Sequence, residues 1–525
     1  MSLFKSIATF GGFTLVSRIT GFLRDMVLAN FLGAGMVSDA FFVAFKLPNL
    51  FRSLFAEGAF TSAFVPMLSH KLVTDGRGKA LEFAAQSISV LTFFLAIFVI
   101  ILEFAMPYVI PVLAPGFADD PGKIELATSL SRITFPFLLF ISIVSFQSGI
   151  LNSLGKFAAP AAAPVILNLM MIASVFIFVP FGDAPAHGIA IGVTFAGFIE
   201  ILWLIYFLRR ENVYLRPRFD IFNLVGDSSI RTLFKRIAPG VLGAGVYQIN
   251  MVVDTILVSM EQGAVGQQVA VEPLGGVVAA ISVAVLPILS HHLKAGETDE
   301  ACHIQNKAIE YGALLSIPAA VALIVLAGPI INILFQHGKF GTFETAMTTS
   351  AVIAYAVGLP VYVMVKALAP NFFARGDTRT PVKYSVVVLL TNLSFALLLM
   401  KPFGHVGIAA ATTIAAFVSF AQYYRGLRKR GYWEFPRFLM IKTFKIFICS
   451  LFMGGMLELG EFLLNCRYGN WLNLSLWQKL PIFGLLCILG VASFAITAKL
   501  TGVLDINDIL KLLSRRGKKN AESKS

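Results

Sequence analysis

Residues 16–60 read VSRITGFLRDMVLANFLGAGMVSDAFFVAFKLPNLFRSLFAEGAF, and this stretch decides how the rest of the chain is interpreted. It holds two apolar segments long enough to cross a membrane, yet it carries seven ionisable side chains: Arg18, Arg24, Asp25, Asp39, Lys46, Arg52 and Glu57. A charge at the centre of a membrane helix costs roughly 2.5 to 3.5 kcal/mol on insertion scales, so these side chains must face a watery cavity or one another. Four of the seven are cationic, and the planar forks of arginine suit phosphate and carboxylate oxygens. The stretch therefore predicts an anion site inside the membrane.

Mutual neutralisation of these charges is the alternative interpretation. Arg18 and Asp25 are seven residues apart, which is two turns on one helix face, and the pair Asp39 and Lys46 has the same spacing. Such pairing leaves Arg24 and Arg52 without local partners, and an arginine of that kind at membrane depth marks a functional site. We therefore favour the anion site, whose candidate residues begin at Ser17 and include all seven charged positions.

The composition predicts an all-α polytopic membrane protein. Of 525 residues, 57% are hydrophobic, 49 are Phe and only 14% are charged, and the mean hydropathy is +0.80, which excludes an ordinary soluble domain. The apolar runs are continuous rather than alternating, which favours helices over a β-barrel. We predict fourteen spans, at 8–32, 37–67, 86–113, 126–153, 159–180, 187–208, 237–260, 265–290, 308–335, 346–373, 381–400, 404–424, 440–464 and 477–502.

The net charge of +13 is mainly a topology signal. Lysine and arginine concentrate in alternate loops, such as the loop at 209–236 and the segment 425–437, whereas the other loops hold little beyond Lys123, Lys339, Lys401, Arg467 and Lys479. This asymmetry predicts that both termini are cytoplasmic. A nucleic-acid partner would need basic residues interleaved with aromatics on a soluble face, so none is predicted. The basic loop 209–236 either contacts anionic membrane lipids or is a plain linker.

Metal and redox chemistry have little support in the sequence. The four cysteines show no paired spacing, and the histidines form no cluster with carboxylates. The first span has no signal cleavage site and carries Arg18 in its middle, so it is expected to remain as a membrane helix. We predict no cofactor, no catalytic residue and no enzymatic activity.

The chain carries a faint internal repeat. FKSIA at 4–8 resembles FKRIA at 234–238, VPMLSH at 65–70 resembles LPILSH at 286–291, and further matches in the same order lie 219 to 221 residues apart. An even number of spans in each copy inserts both copies the same way up, as in two-lobed transporters with a central cavity. The predicted domains are a six-helix lobe at 4–213, a second at 231–430, an additional helix pair at 437–504 and a basic cytoplasmic tail at 505–525.

The two copies differ in charge. Where the first lobe has its charged helix pair, the second reads YQINMVVDTILVSMEQGAVGQQVAVEPLGG at 247–276, with Asp254 and Glu272 but no arginine. The cationic surface is therefore predicted to belong to the first lobe, with Glu272 a candidate contact from the second.

The motifs SRITGFLRDMVLANFLGAG, SDAFFVAFKLPNLFRSLFAEGAFTSAFVP and ARGDTRTPVKYS resemble the bacterial lipid II flippase (MurJ, or MviN) family of the multidrug/oligosaccharidyl-lipid/polysaccharide exporter superfamily. The resemblance covers nearly the whole chain. It implies fourteen helices around a V-shaped cavity in the bacterial cytoplasmic membrane. It also implies export of an undecaprenyl-diphosphate-linked disaccharide-pentapeptide, lipid II, from the inner to the outer leaflet for peptidoglycan synthesis. On this pattern Arg18, Arg24 and Arg52 contact the diphosphate or acidic peptide, Asp39 is a required partner, and the two additional helices form a groove for the polyprenyl tail.

Two departures from the family pattern stand out. A tyrosine-alanine-aspartate-arginine motif near the eighth span is replaced here by GQQVAVEPLGG, so one cavity arginine is missing. Some family members hold sodium between the seventh, eleventh and twelfth helices. The resemblance implies that Asp254, Asn392 and Thr413 could supply parts of such a site, although Ala396 stands where a second carboxylate would be wanted.

The mechanism that we expect is alternating access, with the arginines drawing in the diphosphate while the membrane potential acts on the cavity charge. An O-antigen or multidrug exporter of the same superfamily is the nearest alternative, although a drug exporter for organic cations would want carboxylates. An enzyme of polyprenyl-phosphate chemistry would need clustered acids for Mg²⁺, and only Asp119 and Asp120 are adjacent outside the spans. A scaffold for cell-wall synthesis or division proteins would leave the intramembrane arginines unexplained.

Overall fold

A computed structural model describes residues 3–33, 35–52, 59–178, 185–215, 218, 220, 227–235, 237, 248, 252, 253, 255, 256, 259, 260, 297–377 and 379–503. Every regular element in these ranges is a helix. Nine helices of the described ranges are long and apolar enough to cross a membrane. The prediction of an all-α polytopic membrane protein is confirmed.

The described helices fall into two compact units, one formed by residues 1–273 with 335–344 and the other by residues 274–334 with 345–525. The first unit contains α1 (Leu3–Leu32), α2 (Met36–Arg52), α3 (Ala59–Thr74), α4 (Gly76–Leu113), α5 (Pro121–Thr134), α6 (Phe137–Ser153), α7 (Ala158–Phe178) and α8 (Pro185–Arg210). The second contains nearly all of α9 (Thr298–Phe335), most of α10 (Thr342–Leu368) with its short continuation Pro370–Ala374, and α11 (Arg379–Lys429), α12 (Arg437–Tyr468) and α13 (Leu476–Leu500). The predicted repeat boundaries remain a prediction.

Local sequence explains where several helices begin. Asp120 precedes α5, where its side chain accepts the backbone N–H of Lys123 and Pro121 supplies the first helical residue. Ser475 and Gln478 form a capping box at the start of α13. These caps satisfy backbone donors that the helix itself leaves without acceptors.

Several predicted span boundaries shift in the structure. The span predicted at 37–67 corresponds to two helices, because α2 ends at Arg52 and α3 begins at Ala59, with residues 53–58 outside the described ranges. Pro48 in the fourth turn of α2 and the basic Arg52 in its last turn are both typical of a helix that is about to end. The span predicted at 265–290 lies outside the described residues, as do two thirds of the residues of the span predicted at 237–260.

The predicted boundary between the spans 381–400 and 404–424 is a break inside α11. Gly404 has φ 55° and ψ −139°, a conformation that residues with a Cβ rarely adopt, so the two halves of α11 are separate helices. The two predicted spans are confirmed there, joined by a single glycine rather than by a loop.

In the first unit, α7 packs against both α1 and α8, and α6 packs against α8. Small residues permit the close approach of α8: a Cβ on Gly192 would lie 2.4 Å from Ser174 Cβ, and one on Gly197 would lie 2.8 Å from Phe140 Cβ. Phe64 and Phe146 lie in the core of this unit, with ring centroids 4.2 Å apart. This packing fixes the walls of the cavity described below.

A short segment at 335–344 also belongs to the first unit. The backbone N–H of Lys339 donates to the carbonyl of Asn30 at 3.1 Å, at the end of α1. Gly338 has φ +59°, and a Cβ built there would lie 2.0 Å from Asn30 Oδ1 and 2.4 Å from Asn30 O. The contact with α1 therefore requires glycine at this position.

Candidate functional site: a cationic cavity in the first unit

The first unit contains a cavity of about 830 Å³, large enough for a small-molecule or headgroup ligand. Side chains of α1, α2, α6, α7 and α8 form most of its wall, and Leu113, Gln248, Val252 and Thr255 complete it. Its ionisable lining residues among those described are four cations and two acids: Arg18, Arg24, Lys46, Arg52, Asp25 and Glu200. The predicted grouping of cations around an open space is therefore present, and the lining carries an excess of positive charge.

Arg24 is the best-defined cation of this cavity. Its Nε and Nη2 both donate to Asp25 Oδ1, at 2.9 and 2.7 Å, and its Nη1 donates to Asn168 Oδ1 at 2.9 Å. The expectation that Arg24 lacks a local partner is wrong, because the adjacent carboxylate is close enough to accept from it. The alternative pairing of Arg18 with Asp25 is wrong as well, since the carboxylate bonds Arg24 instead. Within the described part of the chain Arg18 is exposed and forms no ion pair.

Arg52 and Lys46 line the cavity from α2, where both are half-buried. Arg52 Nε donates to Asn49 Oδ1 at 3.1 Å, and Asn49 Nδ2 in turn donates to the carbonyl of Phe45 at 3.0 Å. A guanidinium tied at one nitrogen has fewer rotamers to lose when it binds an anion. Ser17 lines the cavity too, and its carbonyl oxygen accepts from Asn168 Nδ2 at 3.0 Å.

Asp39 lies elsewhere in the first unit. It is fully buried and accepts Lys123 Nζ at 2.8 Å, and that ammonium lies 4.2 Å from the centroid of the Phe117 ring. Lys123 is thus a partner of Asp39 that spacing along one helix did not predict, and the alternative pairing of Asp39 with Lys46 stays a prediction. The prediction that Lys123 lies in a loop is also wrong. Helix α5 begins five residues before the predicted span, and Lys123 is buried in its first turn. Asp39 is absent from the described lining of the cavity, and its part in ligand binding stays a prediction.

Asn168 is a residue of the candidate site that sequence reasoning missed. Its amide oxygen accepts from Arg24, and its Nδ2 donates to Ser17 O and, at 3.2 Å, to Thr20 Oγ1. Asn168 therefore ties α7 to α1 and orients the guanidinium of Arg24. The available signal was that Asn168 is the one amide side chain in the apolar sequence of α7, and polar side chains inside membrane helices mark sites.

Glu200 on α8 was missed in the same way. It is fully buried, lines the cavity, and is the one acidic residue of its helix. Neither carboxylate oxygen has a hydrogen-bond partner among the described residues. Burial removes this carboxylate from solvent, and the guanidinium of Arg52 lines the same cavity.

Three other predicted site residues lie outside the described residues: Glu57, Glu272 and Asp254. Asn392 and Thr413 are both buried on α11, in the second unit. Thr413 Oγ1 donates to the carbonyl of Ala354 at 2.8 Å, and Asn392 Oδ1 accepts from Thr412 Oγ1 at 3.4 Å. The sodium site remains a prediction.

The fold defines the class of protein first. A solved multidrug transporter of the MATE family of the MOP superfamily, in an inward-facing conformation, superposes with a TM-score of 0.62 over 79% of this chain and 94% of its own, at 17% sequence identity. That likeness shows a shared fold. The chain is thus a polytopic membrane protein with this fold, and its first unit holds a cationic cavity.

The chain belongs to the lipid II flippase MurJ family, whose profile matches residues 28–475. A probable lipid II flippase MurJ from Rhizobium tropici is 36% identical over 527 residues, covering 98% of this chain and 97% of that protein. The solved structure of lipid II flippase MurJ in an inward closed conformation gives a TM-score of 0.76 at 26% identity, covering 94% of this chain and 98% of that chain. The family is one of transporters rather than catalysts.

Proposed function

We propose that this protein translocates lipid II, the undecaprenyl-diphosphate-linked disaccharide-pentapeptide, from the inner to the outer leaflet of the bacterial cytoplasmic membrane. The observation that carries the proposal is the coincidence of a full-length family match with a cationic cavity built from the predicted arginines. The family match favours this ligand over an O-antigen lipid or a drug. The cavity charge agrees with it, because a diphosphate needs cations and an organic cation would be repelled.

Arg18, Arg24 and Arg52 are the residues that we assign to the diphosphate. Arg18 offers an exposed fork, while Arg24 and Arg52 are each oriented by an asparagine, Asn168 and Asn49 respectively. Charge-assisted hydrogen bonds to oriented arginine forks are about twice as strong as neutral ones. An entering diphosphate would share Arg24 with Asp25, so the guanidinium is held in place before the ligand arrives.

The proposed cycle is alternating access. The cavity binds the headgroup while the polyprenyl tail stays in the bilayer, in a groove assigned to α12 and α13, and a change of conformation then opens the cavity to the outer side. With both termini cytoplasmic, an inside-negative potential would act on the net cavity charge at about 2.3 kcal/mol per elementary charge per 100 mV. Lipid II and membrane lipids are the proposed partners, and cell-wall synthesis or division proteins are further candidates.

The test is binding and translocation by purified variants. Arg18→Ala, Arg24→Ala and Arg52→Ala should each weaken lipid II binding in native mass spectrometry roughly ten- to a hundredfold, since each loses a hydrogen bond to a charged group of about 1.5 to 3 kcal/mol. Arg209→Ala, at an exposed position in the last turn of α8, is the matched control and should bind as the unmodified protein does. Retained binding and translocation in all three cavity variants would refute the assignment.

A second arm addresses the driving force. In vesicles that contain the protein and labelled lipid II, collapse of the membrane potential should slow translocation if cavity charge moves during the cycle. An unchanged rate of translocation would show that the membrane potential does not drive the cycle. The assignment of the arginines to ligand binding would be unaffected, because the arginine variants test it separately.

A further inference from the structure

A carboxylate would repel an anionic ligand, and yet Glu200 lies in the wall of the cationic cavity. The residue is fully buried on α8 and lines the cavity, and both of its carboxylate oxygens lack a hydrogen-bond partner among the described residues. A buried carboxylate without hydrogen bonds is unfavourable unless a cation lies close or the group carries a proton. The surroundings of Glu200 decide which of the two applies.

The charged groups around Glu200 come from two helices. α1 contributes Arg18, Arg24 and Asp25 to the cavity and α2 contributes Lys46 and Arg52, whereas α6 and α7, which pack against α8, have no ionisable residue. On α5, which also packs against α8, Lys123 pairs with Asp39, Arg132 donates to the carbonyl of Glu103, and Glu125 is exposed. Arg52 is the cation whose charge acts on Glu200 most directly.

A metal or ammonium ion is a poor ligand for Glu200 in this setting. Four positive side chains line the same cavity and would repel any further cation of ordinary size. A coordinated ion would also need several oxygen ligands, whereas a proton needs one. The proton is therefore the cation that this position can accept.

We propose that Glu200 is a proton-binding site coupled to anion binding at Arg52. When a phosphorylated ligand occupies Arg52, the Glu200 carboxylate faces a new negative charge beside the cation that had stabilised it. The carboxylate then accepts a proton that a hydronium ion or buffer acid gives up through the cavity water, so one bond to hydrogen breaks as the O–H bond of the neutral carboxyl forms. When the ligand leaves, the O–H bond breaks, the proton returns to water, and Glu200 again interacts with Arg52 as an anion.

This inference rests on the proposed anion site and adds a consequence to it. Because coupling between two binding events is reciprocal, a proton on Glu200 must strengthen anion binding by the same factor as the anion strengthens proton binding. Apparent anion affinity should rise by up to about tenfold for each unit by which the pH falls, over the range in which Glu200 titrates. A transport cycle that binds on one side and releases on the other would then carry a proton along with the anion.

The experiment measures protons taken up per ligand bound. A soluble dialkyl diphosphate diester is the probe, because its charge is constant over this range, and calorimetric titrations in two buffers of different ionisation enthalpy give the proton number between about pH 5 and 9. The full-length wild-type protein should take up a fraction of a proton that approaches one in part of this range. Glu200→Gln should bind the probe with no uptake and with an affinity that does not vary with pH. Glu125→Gln, an exposed glutamate on α5, is the matched control and should retain wild-type uptake.

The outcomes separate the inference from the function on which it rests. If the wild-type protein does not bind the probe, or if Arg52→Ala binds it equally well, the anion site itself is refuted and the inference falls with it. If the probe binds with no proton uptake at any pH, or if Glu200→Gln takes up protons as the wild-type protein does, only the inference is overturned. Should Glu200→Gln fail to fold, infrared difference spectra of the wild-type protein decide: ligand addition must produce the C=O band of a protonated carboxyl, and its absence overturns the proposal.

Discussion

Replacing Lys123 by methionine tests the energetic role of the buried ion pair with Asp39. The two side chains are 9% and 0% exposed and their charged atoms are 2.8 Å apart, so the substitution removes the cation from a carboxylate that solvent cannot reach. Removing one partner of a buried pair costs about 3 to 5 kcal/mol. Because Asp39 lies in the first turn of α2, the positive end of that helix offsets about 0.3 to 1 kcal/mol of the cost. We expect Lys123→Met to lower the free energy of unfolding by about 2 to 5 kcal/mol.

The assay is unfolding in mixed micelles with increasing SDS, followed by tryptophan fluorescence and by retention of the folded form in size-exclusion chromatography. Lys156→Met is the control, because Lys156 forms an exposed ion pair with Glu211 and should change stability by less than about 1 kcal/mol. The double substitution Asp39→Asn with Lys123→Met should recover most of the loss, since no charge then remains buried. Equal stability of Lys123→Met and the control, or no recovery in the double variant, would refute the reasoning.

Three further perturbations have expected results of their own. Asn168→Ala should weaken diphosphate binding roughly tenfold, because Arg24 loses one charge-assisted hydrogen bond that orients it. Ser142→Ala is the control and should bind normally, because the Ser142 hydroxyl donates to a carbonyl of its own helix. Equal binding curves for the two variants would contradict this prediction. Hydrogen bonds from Thr380, with the nearby Arg430, hold the pKa of Asp377 below its ordinary value, so its ionised form stabilises the fold above the unfolded pKa of about 3.9 and this contribution is lost as the pH falls through the lower folded value. Melting temperatures of wild type and Asp377→Asn should therefore differ near neutral pH and converge in acid, and a constant difference would contradict the assignment. Gly338→Ala should destabilise the protein by more than Gly376→Ala, since both have positive φ but only the first would place a Cβ against α1; equal losses in thermal unfolding would show that the contact is unimportant.

The class of fold could be predicted because the hydropathy of the sequence is high and each membrane helix depends on a local run of residues. Long apolar runs with few charges specify membrane helices wherever they occur, and α7 and α8 lie within a few residues of the predicted spans 159–180 and 187–208. Even the break in α11 follows from a glycine that the sequence places between two apolar runs. Helix ends were harder to predict, since α4 begins ten residues before the predicted span as an extension with a polar first turn.

Among the residues that line the cavity, the sequence predicted the four cations with Ser17 and Asp25, but not Asn168 or Glu200. Arg18, Arg24 and Arg52 were found because a charge in an apolar run stands out in the sequence, whereas their partners could not be assigned from spacing on one helix. The contact between Arg24 and Asn168 joins residues 144 positions apart, and that between Lys123 and Asp39 joins residues 84 apart. Such partners depend on which helix faces bury against one another, which the local sequence does not determine.

The amide of Asn168 also constrains the order in which the chain can be assembled. Ribosomes synthesise α1 long before α7, so during biogenesis the Arg24 guanidinium waits through 144 further residues for its amide acceptor. Until α7 is made, a nascent α1 therefore has the Asp25 carboxylate as a partner for Arg24 but lacks the amide of Asn168, and we expect its contact with the translocon to last until α7 arrives. Truncation of nascent chains before and after residue 168, followed by crosslinking of α1 to the insertion machinery, would time that release.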